Sequence, residues 1–383
     1  MRIILGASLS TLPYSPGRAW HRLHYVLGLQ KLGHEVYFVE ELDPASCLDG
    51  RGEKVGLEPS VNAALFRATL QPFGLMDRAC LVYGRGEATL GLSRDAVTAV
   101  ARSADLLINW SGHITCDFIL ESSSRRVFLD QDPVLIQLWQ EQYAMDFNLR
   151  KHDVFVSTGL SIGTPYARVP DLGVRWHHVL PPVVLEHWPF QIDPSCRRFT
   201  TVATLSPFGD VYYRGERYGT KHDGLRRVAD LPRRAKAELE LAVKYYREEE
   251  PGLSHLKDNG WILSDAARIG DLGEYQAYIR RSRGELGIVQ SAQVTARSGW
   301  FSDRWSHYLA SGKPILAQST DFERWLPTGR GILTFNDVDE AVDGIARING
   351  DYVAHCRAAR EFAEEYLDHG KVLPRFLQAC TAS

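Results

Sequence analysis

Apolar and polar positions fall in blocks that change period along the chain. Residues 2–6 (Arg-Ile-Ile-Leu-Gly) form a short continuous apolar run, the pattern of a strand covered on both faces. A Ser-, Pro- and Gly-rich stretch over 7–17 predicts a loop. Over 18–32, Trp20, Leu23 and Leu27 share one face at helical spacing. Gly33 stands where a helix C-cap belongs, and 35–39 predicts a second strand. Strand, loop, helix, glycine and strand make a βαβ unit, which implies a parallel sheet.

The same alternation continues. A helix is predicted over 94–103, and strands over 105–109, 126–129 and 153–157. Residues 176–182 bring a cluster of His, Pro and aromatic side chains. Pro181, Pro182, Pro189 and Pro194 make regular structure difficult and place a boundary near 183–197. A second α/β half opens with a strand over 199–205. Helices are predicted over 231–249 and 272–282, strands over 260–263, 286–289 and 314–318, and amphipathic helices over 352–379. The expected organisation is a first lobe over 1–185, a second over 186–353, and a helical tail over 354–383 that can cross back to the first lobe. The fold class is α/β, with two Rossmann-like lobes whose parallel sheets face each other across a cleft. Open parallel sheets bind ligands outside the carboxyl ends of their strands, so the cleft is the expected site.

Composition narrows the function. The 383 residues carry 44 Lys and Arg against 47 Asp and Glu, a net charge of −3. That balance argues against an electrostatically driven nucleic-acid binder. No apolar run reaches the ~18–20 residues of a membrane span. The first residues lack the pattern of a signal peptide. The six cysteines are scattered without a CxxC pair, which argues against a zinc ribbon or a disulfide framework and fits a reducing cytoplasm. His177 and His178 have no carboxylate or cysteine nearby in sequence, so no metal site is expected. Gly84-Arg85-Gly86 lacks the third glycine of a dinucleotide fingerprint.

Residues 298–318, SGWFSDRWSHYLASGKPILAQ, resemble the donor-binding segment of two-Rossmann (GT-B type) glycosyltransferases. There, a loop enters a helix that ends in Ala-x-Gly-x-Pro before a strand; Ala310-Ser311-Gly312-Lys313-Pro314 fits that ending. The stretches STGLSIGTPYARVP (157–170), PPVVLEHWP (181–189), LPTGRGILTF (326–335) and INGDYVAHCRAAREFAEEYL (348–367) resemble bacterial glycosyltransferase-like proteins of this type. The resemblance implies transfer of a sugar from a nucleotide-diphosphate donor to a hydroxyl-bearing acceptor, with protein groups rather than a metal meeting the diphosphate. Two other readings share the scaffold: a sugar-nucleotide epimerase, and a non-catalytic nucleotide-sugar-binding protein.

A Ser-Gly turn opening a helix offers free N–H groups and the positive end of a helix dipole, a natural phosphate seat. Ser298, Gly299, Ser302 and Asp303 are therefore expected at the donor, with Arg297 and Arg304 adding charge-assisted bonds. Retaining members of this family carry two glutamates eight residues apart here. Those places hold Gly299 and His307, leaving Asp303 as a replacement carboxylate. By the same resemblance Gly17 marks the turn where backbone approaches the donor, and Lys221, with Arg214 or Arg217, holds the diphosphate. The resemblance also implies that His113, in the loop after a strand, sits near the donor sugar. His21 is a base candidate toward the acceptor, or a packing histidine. Asp130 and Asp132, at a strand end, either orient sugar hydroxyls and take a proton, or cap the helix after Pro133. Trp261 stacks on the base or packs in the core, the core being favoured.

Overall fold

The computed structural model describes residues 1–12, 15–205, 208–244 and 252–382. The chain opens with β1 (Arg2–Gly6), where Ile3, Ile4 and Leu5 are completely buried. It then enters α1 (Pro16–Lys31), whose first position is proline, a residue that suits a helix start because its missing N–H is not needed there. The first lobe continues through β2 (Glu35–Leu42), α2 (Val61–Leu70), β3 (Ala79–Tyr83), β4 (Ala88–Gly91), α3 (Arg94–Ser103), β5 (Leu106–Trp110) and α4 (Asp117–Leu120). It closes with β6 (Arg126–Asp130), α5 (Leu135–Tyr143), β7 (Val154–Ser157) and β8 (Trp176–His178). The eight strands run in the order β4-β3-β2-β1-β5-β6-β7-β8, and only β4 is antiparallel to its neighbour.

The second lobe begins with β9 (Phe199–Ala203) and a hairpin of β10 (Val211–Tyr213) and β11 (Glu216–Tyr218). Next come α6 (Lys221–Arg227), α7 (Leu231–Ala235), β12 (Leu239–Val243), α8 (Leu253–Asp258), β13 (Ile262–Asp265), α9 (Leu272–Arg280) and β14 (Gly284–Gly287). The lobe ends with α10 (Ser291–Ala296), α11 (Asp303–Ala310), β15 (Ile315–Gln318), β16 (Ile332–Phe335) and α12 (Val338–Gly350). Its six strands are all parallel, in the order β13-β12-β9-β14-β15-β16. Two helices, α13 (Tyr352–Phe362) and α14 (His369–Thr381), complete the chain.

The helix expected over 231–249 is corrected. Only Leu231–Ala235 is helical; Lys236 takes a left-handed φ of 49°, and 239–243 form β12. Residues 245–249 lie outside the described residues. Helix propensity favours the Ala-Glu-Leu-rich sequence by only tenths of a kcal/mol per residue. Burying Leu239, Leu241 and Val243 in the sheet contributes roughly 1.5–3 kcal/mol each, so packing wins. The hairpin of β10 and β11, which the sequence pattern did not reveal, packs Val211, Tyr213 and Tyr218 against first-lobe residues around Leu135 and Trp176.

The two lobes share one apolar core that runs from Ile3 and Trp20 to Trp305 and Ala317. A second connection is polar. Leu160 N–H donates to Gly299 O at 3.2 Å and Ser161 N–H to Ser298 O at 3.0 Å, so a first-lobe loop pairs with a second-lobe loop like two strand ends. The tail returns to the first lobe. Phe376 meets Tyr25 edge-on, Arg125 Nε donates to Cys380 O at 2.6 Å, and Leu373 lies where a side chain on Gly28 would collide with it. Among the described residues no helix is long and apolar enough to cross a membrane.

Candidate active site

Both sheets point the carboxyl ends of their strands at one cavity of about 260 Å³. Ser15, Pro16, Gly17 and Arg18 reach it from the start of α1, and Gln131 and Asp132 from the end of β6. From the second lobe come Ala203 at the end of β9, Thr204 just after it, Lys221 at the start of α6, Lys244 after β12, and Asp303 and Arg304 at the start of α11. In each sheet the strand order reverses beside the first strand of the lobe, β1 or β9, and such switch points leave a crevice for a ligand.

The cavity is biased toward anions. Four basic side chains (Arg18, Lys221, Lys244, Arg304) face two carboxylates (Asp132, Asp303). Lys221 is 8% exposed, and no hydrogen bond is made by its ammonium group among the described residues. Burial, then the neighbouring Arg304, pushes its pKa down to about 7, against the opposing pull of Glu285 and Asp303. Burial and then Arg18 lower Lys244 to about 8; its ammonium donates to Ser15 Oγ. Arg304 Nε donates to Glu285 Oε1 at 2.5 Å, and Glu285 is fully buried on β14. Burial opposes the charge on Arg304 most strongly, but Glu285, Tyr275 and Tyr308 together hold the guanidinium above its usual range. The first turn of α1 adds the backbone. Pro16 has no N–H, so the amides of Gly17 and Arg18 are those left without a partner inside the helix. A side chain on Gly17 would come within 2.9 Å of the Tyr275 hydroxyl, so the two lobes approach closely here.

The carboxylates differ. Burial raises Asp132, although Arg18 and Arg22 pull it back. Asp303 is also penalised by burial, but His21, His307 and Arg304 hold it below the usual carboxylate range. His21 Nδ1 sits 3.5 Å from Asp303 Oδ2, and burial drops the imidazole to about 4, so the ring is neutral near pH 7.

Several residues singled out in the sequence lie elsewhere. Asp130 does not line the cavity. It is fully buried and accepts from Gln137 Nε2 at 2.9 Å, Ser157 Oγ at 3.1 Å and Asp132 N–H at 3.1 Å, while burial raises it to about 7. His113 is held outside the lining, where its Nε2 accepts from Glu41 N–H at 3.1 Å. His21 lies behind Asp303 rather than at the cavity surface. Arg297 is exposed with a left-handed φ of 48°, away from the lining. Ser298 is completely buried; its hydroxyl donates to Gln293 O and accepts from Trp300 N–H. Gly299 N–H donates to Thr320 O at 2.7 Å, and Ser302 caps α11 by accepting from Arg304 N–H. The backbone of this turn is therefore largely spent inside the protein. It contributes Trp300, Asp303 and Arg304 to the cavity lining.

His307, one of the two places where the resemblance expected a glutamate, is stacked on Trp188 at 4.6 Å and bonded to Tyr275. Arg214 and Arg217 do not line the cavity; Arg217 pairs with Asp210 and Asp223. Trp261 packs in the core and donates to Ala229 O. No group of three or more His, Cys, Asp or Glu among the described residues is arranged to hold a metal ion. Lys244 was missed because the strand before it was read as helix. Arg18 and Tyr275 were not proposed as ligand contacts; Arg18 stood next to Gly17, whereas nothing in the local sequence marks Tyr275.

No protein-family model matches the chain, and no curated protein matches its sequence. Solved structures do match, over nearly the whole length. HepE from Anabaena in complex with UDP and glucose is 12% identical, covering 99% of this chain and 99% of that one, with a TM-score of 0.59. An alpha-glucosyltransferase in complex with UDP and a 13-mer DNA is 12% identical, covering 99% and 98%, with a TM-score of 0.57. Sucrose-phosphate synthase from Thermosynechococcus elongatus is 12% identical, covering 99% and 98%, with a TM-score of 0.54. The chain therefore has the two-Rossmann fold of GT-B glycosyltransferases.

Proposed function

We propose that the protein is a glycosyltransferase that moves a sugar from a nucleotide-diphosphate donor to a hydroxyl-bearing acceptor. The observation that carries this reading is the buried, unbonded Lys221 ammonium in a cavity shared with Arg18, Lys244, Arg304 and the open first turn of α1. Two similar structures were solved with UDP, which fits a nucleotide of this size and charge. In the reaction, the acceptor oxygen forms a bond to the anomeric carbon as the bond from that carbon to the diphosphate oxygen breaks. The leaving oxygen keeps the electron pair, and Lys221 and Arg304 stabilise its charge. Asp132, raised by burial, takes the acceptor's proton.

Calorimetric titration with UDP, GDP, ADP and dTDP tests the donor half. One of these is expected to bind in the micromolar range, with at least tenfold loss in Lys221→Ala. Failure of all four to bind at 1 mM, or unchanged affinity in both Lys221→Ala and Arg18→Ala, contradicts the reading. Adding a donor sugar without acceptor separates transfer from epimerisation: an isomerised donor would overturn the transferase assignment.

A further inference from the structure

A second cavity, of about 480 Å³, lies on the other side of the first turn of α1. Ser15 and Pro16 line both cavities. The neighbours Gly17 and Arg18 face the first, whereas Ala19 and Trp20 face the second. The same division recurs across the cleft on α9, where Tyr275 faces the first and Gln276 the second. One helical turn is thus the ridge between two adjoining sites.

The two sites have opposite chemistry. No lysine or arginine is among the described residues lining the second cavity. Its one carboxylate, Asp271, already caps α9 by accepting from Glu274 N–H at 2.7 Å. Its one histidine, His187, is lowered chiefly by burial and is neutral near pH 7. The inner wall is aromatic: the rings of Trp20, Phe73 and His187 lie 5.3–5.9 Å apart pairwise, none of them parallel. Leu65 and Ala68 on α2 and Leu272 on α9 supply apolar flanks. An anion gains nothing from these walls, and a free sugar leaves their apolar surface wet. A flat, uncharged ring system gains burial and ring-edge contacts, and this volume suits a ligand of drug-like size.

We infer that this groove binds the body of the acceptor, and that the acceptor is an uncharged aromatic or polycyclic alcohol. With its ring system between Trp20, Phe73 and Leu65, such a molecule extends its hydroxyl over Ser15 and Pro16 toward Asp132. The inference rests on the glycosyltransferase reading for the word acceptor, but not for the binding site itself.

The test is binding of 4-methylumbelliferone, a flat neutral phenol, at pH 6, followed by fluorescence with and without saturating UDP. The expected result is a dissociation constant below about 1 mM that UDP does not raise. Ala68→Trp, which fills the exposed lip of the groove, and Leu65→Gln are each expected to weaken it at least tenfold, with unchanged thermal midpoints confirming folding. Absence of phenol binding, competition by UDP, or full binding in both variants would overturn the inference. Nucleotide binding without phenol binding removes this inference alone. Phenol binding without any nucleotide binding removes the transferase reading and leaves the groove.

Discussion

The two turns that lead into α1 and α11 look alike in sequence and do different work. Each carries a glycine where the chain enters a helix, after β1 in the first case and after α10 in the second. At Gly17 the missing side chain lets the backbone of one lobe approach Tyr275 of the other beside the open cavity. At Gly299 the space is taken by protein. The residue has a φ of 66°, and an added side chain would come within 2.8–2.9 Å of Ser161 Oγ and N. The first glycine makes room for a tyrosine of the other lobe beside the cavity, and the second makes room for a staple between lobes. A glycine at a helix entry reports that something comes close, not what it is.

The largest expected effect comes from beneath the second turn. Arg304→Ala leaves the fully buried Glu285 without its charged partner, and one of that carboxylate's oxygens already lacks a partner. A loss of about 3–5 kcal/mol in unfolding free energy is expected from denaturant titration. A loss under 1 kcal/mol would mean that the arginine is held for the ligand alone. Next is Gly299→Ala, which combines a left-handed backbone with a backbone collision. It should cost about 2–4 kcal/mol of stability. A lowered nucleotide affinity at unchanged stability would instead make this turn a ligand seat and erase the contrast with Gly17.

Lys221→Ala is expected to act on binding rather than folding. A charge-assisted bond of about 1.5–3 kcal/mol corresponds to roughly 10- to 150-fold in the dissociation constant. The pH dependence sharpens this. The lysine in the free protein titrates at about 7, and the donor's phosphates favour its charged form. Affinity for UDP-glucose, whose phosphates do not titrate near neutrality, should therefore be flat below pH 7. Above pH 7 it should weaken, by at most about tenfold per unit. In Lys221→Arg the fall just above pH 7 should vanish, leaving the later fall as Lys244, lowered to about 8, loses its proton. The smallest effect is that of Gly17→Ala. Its φ is ordinary and the nearest atom is the end of a tyrosine side chain, so a few-fold loss of nucleotide affinity with little change in stability is expected.

Much of the fold was legible because parallel strands buried on both faces write themselves as short apolar runs. Residues 2–6, 126–129 and 314–318 are examples. The misread segment, 231–249, shows the limit: Leu239-Glu240-Leu241-Ala242-Val243 has helical composition, and only the sheet waiting for it between β9 and β13 makes it a strand. The cavity lining was legible where chemistry and chain position coincided, as for Lys221, Asp132, Asp303 and Arg304. It was not legible for Asp130: residues two apart on a strand share a face, but β6 ends at Asp130 and the chain bends before Asp132. One reaches the cavity and the other is enclosed by Gln137 and Ser157.

The most direct test of the central claim is a crystal structure of the protein with UDP. The account predicts the diphosphate between Lys221, Arg304 and the amides of Gly17 and Arg18, with Ser161 still bonded to Ser298. A diphosphate seated on the amides of Gly299 and Trp300, with that pairing broken open to admit it, would contradict it.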